Sequence, residues 1–254
     1  MRTAKTVLTV IQERGKQKKP IERVYKLLFN RELYLNAYAK LYPNNGAMTK
    51  GVTNETVDGM SIQKIDRMIE ILREEKYQWK PARREYIKKK NGKKRPLGIP
   101  VWGDKVLQEV MRQILEAYYE PQFSEHSHGF RPNRGCHTAL QEIQVWKGTR
   151  WFIEGDISQY FDTIDHKILL EILARNIHDG RFIRLVSNML EAGYLEEWKF
   201  NQTISGVPQG GVISPILANI YLNEFDNWIE EVLIPKYTKG KRQKSNPEYN
   251  KLTA

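Results

Sequence analysis

The stretch WFIEGDISQYFDTIDH, residues 151–166, decides how this sequence is interpreted. An aromatic and aliphatic run, Trp151-Phe152-Ile153, predicts a buried strand over 151–157 that delivers Asp156 at its end. A strand end fixes a side chain well, so Asp156 is a candidate metal ligand, with Glu154 on the same face of the strand. A strand-end acid with a purely structural role is the alternative interpretation. Phosphoryl transfer commonly uses two metal ions about 3.5–4 Å apart, and one carboxylate cannot hold both.

Composition limits the class of protein. The chain has 254 residues with 41 Lys plus Arg against 30 Asp plus Glu, a formal net charge of +11. Such an excess attracts polyanions, chiefly nucleic acid, although a basic surface without a specific partner remains the alternative. One cysteine, Cys136, excludes an internal disulfide and fits a reducing compartment. Without a long apolar run or a signal-peptide core, the sequence predicts a cytoplasmic protein with no membrane partner.

Hydrophobic spacing predicts a mixture of helices and strands. Helices are expected near the N-terminus and over 21–42, 61–76, 105–120, 135–146, 166–176 and 181–192, and from Ser214-Pro215 onward. Besides the strand at 151–157, hairpins are expected over 83–99 and 196–205. Ser61, Asp104 and Asp165 are predicted to cap the helices that follow them. Because the elements do not alternate strictly, an α+β fold is favoured over a doubly wound α/β fold.

A basic hairpin lies in RREYIKKKNGKKRPLGI, residues 83–99. Between Lys76 and Arg95 there are ten Lys or Arg residues and a single acid, Glu85. Asn91-Gly92 predicts a two-residue type I′ turn, which needs positive φ at both positions. Lys89 and Arg95 are candidates for binding a triphosphate. A solvated edge hairpin whose lysines discourage aggregation is an equally good interpretation of the charge alone.

Two further loops are candidates for ligand contact. Residues 205–211, SGVPQGG, form a glycine loop before a helix, where backbone can approach a ligand closely and Gln209 offers an amide. The loop matches neither common nucleotide-binding glycine motif, and an ordinary tight connection is the alternative. In the second loop His126, His128, Cys136 and His137 fit no common zinc spacing. Arg131 and Arg134 are better interpreted as phosphate or backbone contacts.

Four motifs in order carry a family resemblance. These are KKKNGKKRPLGIPVWGDKVLQ (88–108), SHGFRPNRGCHTAL (127–140), GDISQYFDTIDH (155–166) and SGVPQGGVISPILANIYLNEFD (205–226). Together they closely resemble group II intron reverse transcriptases, the intron-encoded maturases, over about residues 24–226. The resemblance implies the fingers and an incomplete palm of a right-hand polymerase. It implies an N-terminal extension over 1–60, fingers over 61–150, a partial palm over 151–234 and a polar insertion over 235–254.

The resemblance also implies a role for each matching residue. Asp156 and the Ile157 carbonyl would bind catalytic Mg²⁺ or Mn²⁺, and Phe161 would be the steric gate against a ribose 2′-hydroxyl. The nucleotide-binding set would be Lys89, Arg95, Ile157, Phe161 and Gln209. The template-binding or RNA-binding set would be Arg131, Arg134, Gly206, Pro208 and Gly210. The implied partners are an RNA template, intron RNA, a DNA primer and deoxynucleoside triphosphates.

One departure from the family pattern affects the expected activity. The family places a Tyr-x-Asp-Asp motif after the helix that ends near Asp226, and this sequence contains no adjacent Asp-Asp pair. We therefore expect these 254 residues to be an N-terminal portion of an RNA-directed DNA polymerase that is inactive alone. A non-catalytic RNA-binding splicing maturase fragment is the alternative.

Overall fold

The computed structural model describes residues 2–88, 92, 94–147, 153–197, 199–203, 205–207, 210–237 and 251. Within them the α-helices are α1 (Ala4–Lys16), α2 (Arg31–Leu41), α3 (Ile62–Arg73), α4 (Trp102–Tyr119), α5 (Cys136–Gln144), α6 (Tyr160–Thr163), α7 (His166–Asn176), α8 (Gly180–Leu190), α9 (Ser214–Trp228) and α10 (Ile234–Tyr237). The strands are β1 (Ile21–Glu22), β2 (Ala82–Lys88), β3 (Lys94–Ile99), β4 (Ile177–His178), β5 (Tyr194–Glu196) and β6 (Lys199–Asn201). The mixed architecture confirms the predicted α+β class.

Helix α4 is the central element of the core. Its apolar stripe is buried along the whole length of the helix, because α1, α2 and α9 pack around it. Helix α1 lies close to α4 at Gly15, where an added Cβ would clash with the Tyr118 carbonyl oxygen. One continuous hydrophobic cluster runs from Ala4 to Ile220. The predicted extension, fingers and palm segments therefore share a core.

The helix predicted over 21–42 is interrupted, so that prediction is wrong in its continuity. A 3₁₀ segment, Val24–Phe29, ends at Asn30, and α2 begins at the next residue. The Asn30 side chain accepts a hydrogen bond from the Glu32 amide at 3.0 Å. Asparagine is a favoured N-cap residue, and this local bond competes with continuation of the helix.

The predicted capping role of Asp104 is also wrong, whereas Ser61 and Asp165 do cap α3 and α7. Helix α4 begins at Trp102, so Asp104 already lies inside its first turn. Its buried carboxylate accepts hydrogen bonds from the Tyr77 hydroxyl at 2.6 Å and the Lys80 amide at 3.0 Å. Asp104 thus joins the chain before the basic hairpin to α4.

The basic hairpin forms one edge of a four-stranded sheet with the order β3-β2-β5-β6. Strands β2 and β3 pair in antiparallel fashion from Arg83↔Ile99 to Lys88↔Lys94. Strand β5 pairs in parallel with β2, and β5 with β6 forms the second hairpin, close to the predicted 196–205 segment. Both predicted hairpins are therefore confirmed, and they lie in one sheet.

The strand register corrects the predicted turn type. A two-residue turn at Asn91-Gly92 would pair Lys88 with Arg95, but Lys88 pairs with Lys94. A two-residue turn needs an even number of residues between paired positions, and five residues separate Lys88 from Lys94. Gly92 has a φ of 79°, a left-handed conformation that favours glycine. Asn91 lies outside the described residues.

The predicted strand at 151–157 is wrong in its described part. Residues 153–157 have no regular secondary structure, and the Ile153 side chain is 93% exposed. Strand structure needs a hydrogen-bonded neighbour, and no strand of the described residues lies beside this segment. Trp151 and Phe152 lie outside the described residues.

The polar segment predicted over 235–254 is described only in part. A π-helical turn, Ile229–Leu233, continues α9 into α10, so residues 235–237 are helical. Residues 238–250 and 252–254 lie outside the described part of the chain.

Among the helices that the structure describes, none combines the length and apolar character needed to cross a bilayer.

Candidate active site

The glycine loop packs directly on the segment that follows Asp156. The Gly206 amide donates to the Ile164 carbonyl and the Val207 amide donates to the Phe161 carbonyl, both at 2.8 Å. The Ser205 hydroxyl donates to the Asp162 carbonyl at 3.1 Å. These contacts place the loop against α6 and the residue that follows it, so the third and fourth sequence motifs form one unit.

Two glycines allow the loop to lie this close to neighbouring backbone, since any side chain at these positions would clash. A Cβ at Gly206 would lie 2.7 Å from the Phe161 carbonyl oxygen, and a Cβ at Gly210 would lie 2.6 Å from the Gly98 carbonyl oxygen. Both glycines have positive φ, 86° and 105°, which other residues adopt only with strain. The loop therefore bridges α6 on one side and strand β3 on the other.

The basic hairpin presents Arg95 near this bridge. Arg95 and Leu97 share one face of β3, since side chains alternate along a strand. Leu97 also contacts the loop, because its Cδ1 lies 2.6 Å from where a Cβ of Gly210 would be. Arg95 is exposed and pairs with Ile87 across the hairpin. Lys89, Pro208 and Gln209 lie outside the described residues.

Asp156 is open to solvent. Its side chain is exposed and makes no hydrogen bond or ion pair with the other described residues. An exposed carboxylate is the hard oxygen ligand that Mg²⁺ or Mn²⁺ prefers. The described residues contain no group of three or more His, Cys, Asp or Glu that could enclose a metal ion. Asp156 therefore fits an open metal site to which it contributes one carboxylate.

Phe161 is held in place by aromatic neighbours. Its ring is partly buried and meets the Phe130 and Tyr160 rings edge-on, at centroid distances of 6.3 and 5.9 Å. Burial raises the pKa of Tyr160, whose hydroxyl donates to the Ala218 carbonyl at 2.7 Å. The position of the Phe161 ring is thus fixed by α9 through Tyr160.

Arg131 is placed differently from its predicted role as a template contact. It is 8% exposed, and all three guanidinium nitrogens donate hydrogen bonds within the protein. Nε and Nη2 donate to Glu120, and Nη1 donates to the carbonyls of Ser124 and Ser127. The guanidinium is thus engaged within the protein and buried away from solvent. Arg134 is half-buried and donates to the Glu125 carbonyl.

The histidines of the same loop contact a carboxylate that the sequence analysis did not consider. His126 and His128 both bond to Glu142, the latter at 2.8 Å, and these hydrogen bonds lower the pKa of Glu142, His128 having the larger effect. Cys136 and His137 are exposed on α5 outside this cluster. The three side chains connect α5 to the loop after α4.

Sequence reasoning missed two side chains that hold the glycine loop. Gln108 on α4 accepts a hydrogen bond from the Val212 amide at 2.9 Å, and His166 Nε2 lies 2.6 Å from the Gly206 carbonyl oxygen. Gln108 is only 4% exposed. A glutamine between the apolar residues Leu107 and Val110 was the available signal, because buried amides need partners.

Comparison with known proteins defines the class. The model of the family described as reverse transcriptase (RNA-dependent DNA polymerase) matches residues 87–240. The chain therefore belongs to the reverse transcriptase family. A solved structure described as a partial Cas6-RT-Cas1–Cas2 complex superposes with a TM-score of 0.54, at 20% identity, over 82% of this chain and 35% of that one. That likeness supports the fold alone.

Curated relatives narrow the family to proteins encoded by group II introns. The group II intron-encoded protein LtrA of Lactococcus lactis subsp. cremoris is 47% identical over 232 residues, which cover 91% of this chain and 39% of that protein. An uncharacterized 91 kDa protein in the cob intron of Schizosaccharomyces pombe is 47% identical over 237 residues, covering 90% and 29%. The predicted group II intron family is confirmed, and the chain spans well under half the length of these relatives.

Proposed function

We propose that this chain forms the fingers and part of the palm of an RNA-directed DNA polymerase of a group II intron. The observation that carries the proposal is the glycine loop, which contacts the Phe161 backbone through Gly206 and Val207 and the β3 backbone through Gly210. A nucleotide bound at this junction would meet the gate residue, the loop and the cationic hairpin together. The fold match to reverse transcriptases supports the same assignment.

In this proposal each residue has a physical task. Asp156 and the Ile157 carbonyl would hold Mg²⁺ or Mn²⁺, which when bound neutralises charge that develops on the phosphates. Lys89 and Arg95 would bind the triphosphate of the incoming deoxynucleotide, and Gln209 would line its pocket. Gly206, Pro208, Gly210 and Arg134 would lie along the RNA template.

We propose a different role for Arg131 from the template contact that the family resemblance implied. Arg131 would act indirectly, because its bonds to Glu120, Ser124 and Ser127 fix the loop that carries Phe130. Phe130 in turn contacts the Phe161 ring. Arg131 is thus assigned to positioning the gate rather than to contacting template.

The biological setting is also part of the proposal. The relatives are intron-encoded, so intron RNA, an RNA template and a DNA primer are the proposed nucleic-acid partners. The division into an extension over 1–60, fingers over 61–150 and palm over 151–234 is proposed from the family resemblance. A cytoplasmic location is proposed from the cysteine content and the composition of the N-terminus.

Sugar selection tests the proposed pocket. Phe161→Ala in the full-length protein should open space for a 2′-hydroxyl and reduce the preference for deoxynucleotides over ribonucleotides by at least about tenfold. The measurement is the ratio of kcat/KM for matched deoxy and ribo substrates in primer extension on an RNA template. Phe225→Ala removes another phenyl ring, which is exposed on α9, and serves as the control. An unchanged ratio in Phe161→Ala would contradict the assigned pocket.

A second candidate function is RNA binding for splicing, without chemistry by these residues. The observation that favours it is the basic hairpin, whose strands carry Arg83, Arg84, Lys88, Lys94 and Arg95. Counterion release predicts that RNA affinity of the 254-residue chain falls steeply with salt, by at least about a hundredfold between 50 and 200 mM. Filter binding with a structured intron RNA and an unstructured RNA of equal length measures this. Affinity that is undetectable or independent of salt would exclude the candidate.

A further inference from the structure

We infer that Gln108 and His166 are positioning residues that fasten the two ends of the glycine loop and thereby set the affinity for the incoming nucleotide. The inference rests on the proposed polymerase function and adds two residues to it. Neither residue belongs to the sets assigned above to metal, nucleotide or template.

The first fastening point is His166. Its Nε2 lies 2.6 Å from the Gly206 carbonyl oxygen, and because a carbonyl only accepts, Nε2 carries the proton. His166 is the first residue of α7, and Asp165 caps that helix through the Ile168 amide at 2.9 Å. The imidazole is thus carried by an ordered helix end. It reinforces the bond from the Gly206 amide to Ile164 from the opposite side of the same residue.

The second fastening point is Gln108. It lies on the buried helix α4, and its Oε1 accepts a hydrogen bond from the Val212 amide at 2.9 Å. With 4% exposure the side chain has little water to replace that bond. Helix α4 is buried along its length by other core elements, so this end of the loop is fixed to the hydrophobic core.

The loop between these points carries Gln209 and the two glycines of positive φ. Glycine-rich backbone has many accessible conformations, and holding it in one of them costs conformational entropy. Two side-chain bonds to separate helices supply part of that ordering before a nucleotide arrives. Their removal should weaken nucleotide binding and leave the chemical step nearly unchanged, which appears as a higher KM with constant kcat.

The experiment is steady-state primer extension by the full-length protein with His166→Leu and Gln108→Met. Each variant should raise the KM for deoxynucleotide between about threefold and tenfold with kcat within about twofold, as expected for loss of one net hydrogen bond. His166→Gln retains an N–H donor near the Nε2 position and should restore most of the affinity. Because both residues act on one loop, the double variant should raise KM by less than the product of the single effects.

Gln113→Met is the matched control. Gln113 lies on the same helix and donates to the Leu33 carbonyl at 3.3 Å, away from the glycine loop. It should lower the melting temperature to a similar degree as Gln108→Met without changing KM. The two ends of the loop give independent tests, so a folding defect in one variant still leaves the other.

The outcomes separate the inference from the function on which it rests. An active wild-type enzyme whose KM is unchanged in His166→Leu and Gln108→Met would overturn the inference alone. Equal KM effects in Gln113→Met would also overturn it, because general destabilisation would then explain the result. Absence of RNA-templated synthesis by the wild-type protein would overturn both the proposed function and the inference.

Discussion

At the scale of single residues, burial decides what a charged side chain does. Arg131 and Arg134 are three positions apart in one motif, yet only Arg131 is enclosed by Glu120, two carbonyls and the Phe123 ring at 5.4 Å. A guanidinium in that setting stabilises the loop after α4. Asp156, in contrast, is exposed and remains available to an external cation.

The enclosure of Arg131 predicts a stability effect. Arg131→Ala would leave the Glu120 carboxylate and two carbonyls without their donor, so we expect a loss of roughly 2–4 kcal/mol of unfolding free energy. Arg134→Ala removes a single bond from a half-buried site and should cost less than about 1 kcal/mol. Urea unfolding of both variants followed by circular dichroism measures the difference. Equal small losses would contradict the structural role of Arg131.

Sequence motifs supplied the candidate site residues, and the roles assigned to those residues stay predictions. Gly206 lies against the Phe161 backbone and Gly210 lies against the Gly98 backbone. The role of Arg131 depends on how the chain folds back on Glu120, which no local pattern records. Gln108 and His166 were missed for the same reason, because their partners lie 104 and 40 residues away in sequence.

At the scale of elements, features set by neighbouring residues were predicted correctly, whereas a feature that depends on long-range strand pairing was not. The hairpins and the cap residues Ser61 and Asp165 were predictable, because turn and cap chemistry lies within a few residues. The strand expected over 151–157 was not, because a strand exists only beside a partner, and the described residues supply none. The predicted turn type was wrong because the strand register differs by one residue from the predicted register. The alternation of side chains near Asn91 does not determine that register.

The start of α4 gives a pH-dependent prediction for an element contact. Burial raises the pKa of Asp104 from 3.8 to about 6, although the bonds from Tyr77 and Lys80 oppose the shift. The folded state therefore retains this proton between about pH 4 and 6, where the unfolded state has lost it. Stability from this group is full below its unfolded pKa and is lost as pH rises through about 6.

Asp104→Asn should remove that dependence. Compared with Asp104→Asn, the wild-type protein should lose stability as pH rises from 4 to 6.5, by a difference on the order of 2–3 kcal/mol. Melting curves of both proteins across this range measure the difference, with the exposed Asp58→Asn as control. Parallel pH profiles for wild type and Asp104→Asn would show that the carboxyl titrates normally in the folded state.

At the scale of the whole molecule, the hydrophobic core that joins the predicted segments also supports the candidate active site. The predicted extension, fingers and palm segments share a hydrophobic cluster centred on α4, and α4 also holds the glycine loop through Gln108. Composition predicted a polyanion partner. The order of the motifs predicted a reverse transcriptase, and the family match over residues 87–240 confirms that prediction. The shared core was not predictable, because helix patterns show which face is buried but not which element covers it.

The most direct measurement is the rate of a single turnover of primer extension by the full-length protein on an RNA template. If Asp156 holds the catalytic metal ion, Asp156→Asn should reduce the rate at least about a thousandfold, as loss of several kcal/mol of charge stabilisation requires. Asp58→Asn, at another exposed acid, should keep the wild-type rate. A rate for Asp156→Asn within about tenfold of wild type would contradict the proposed catalytic site.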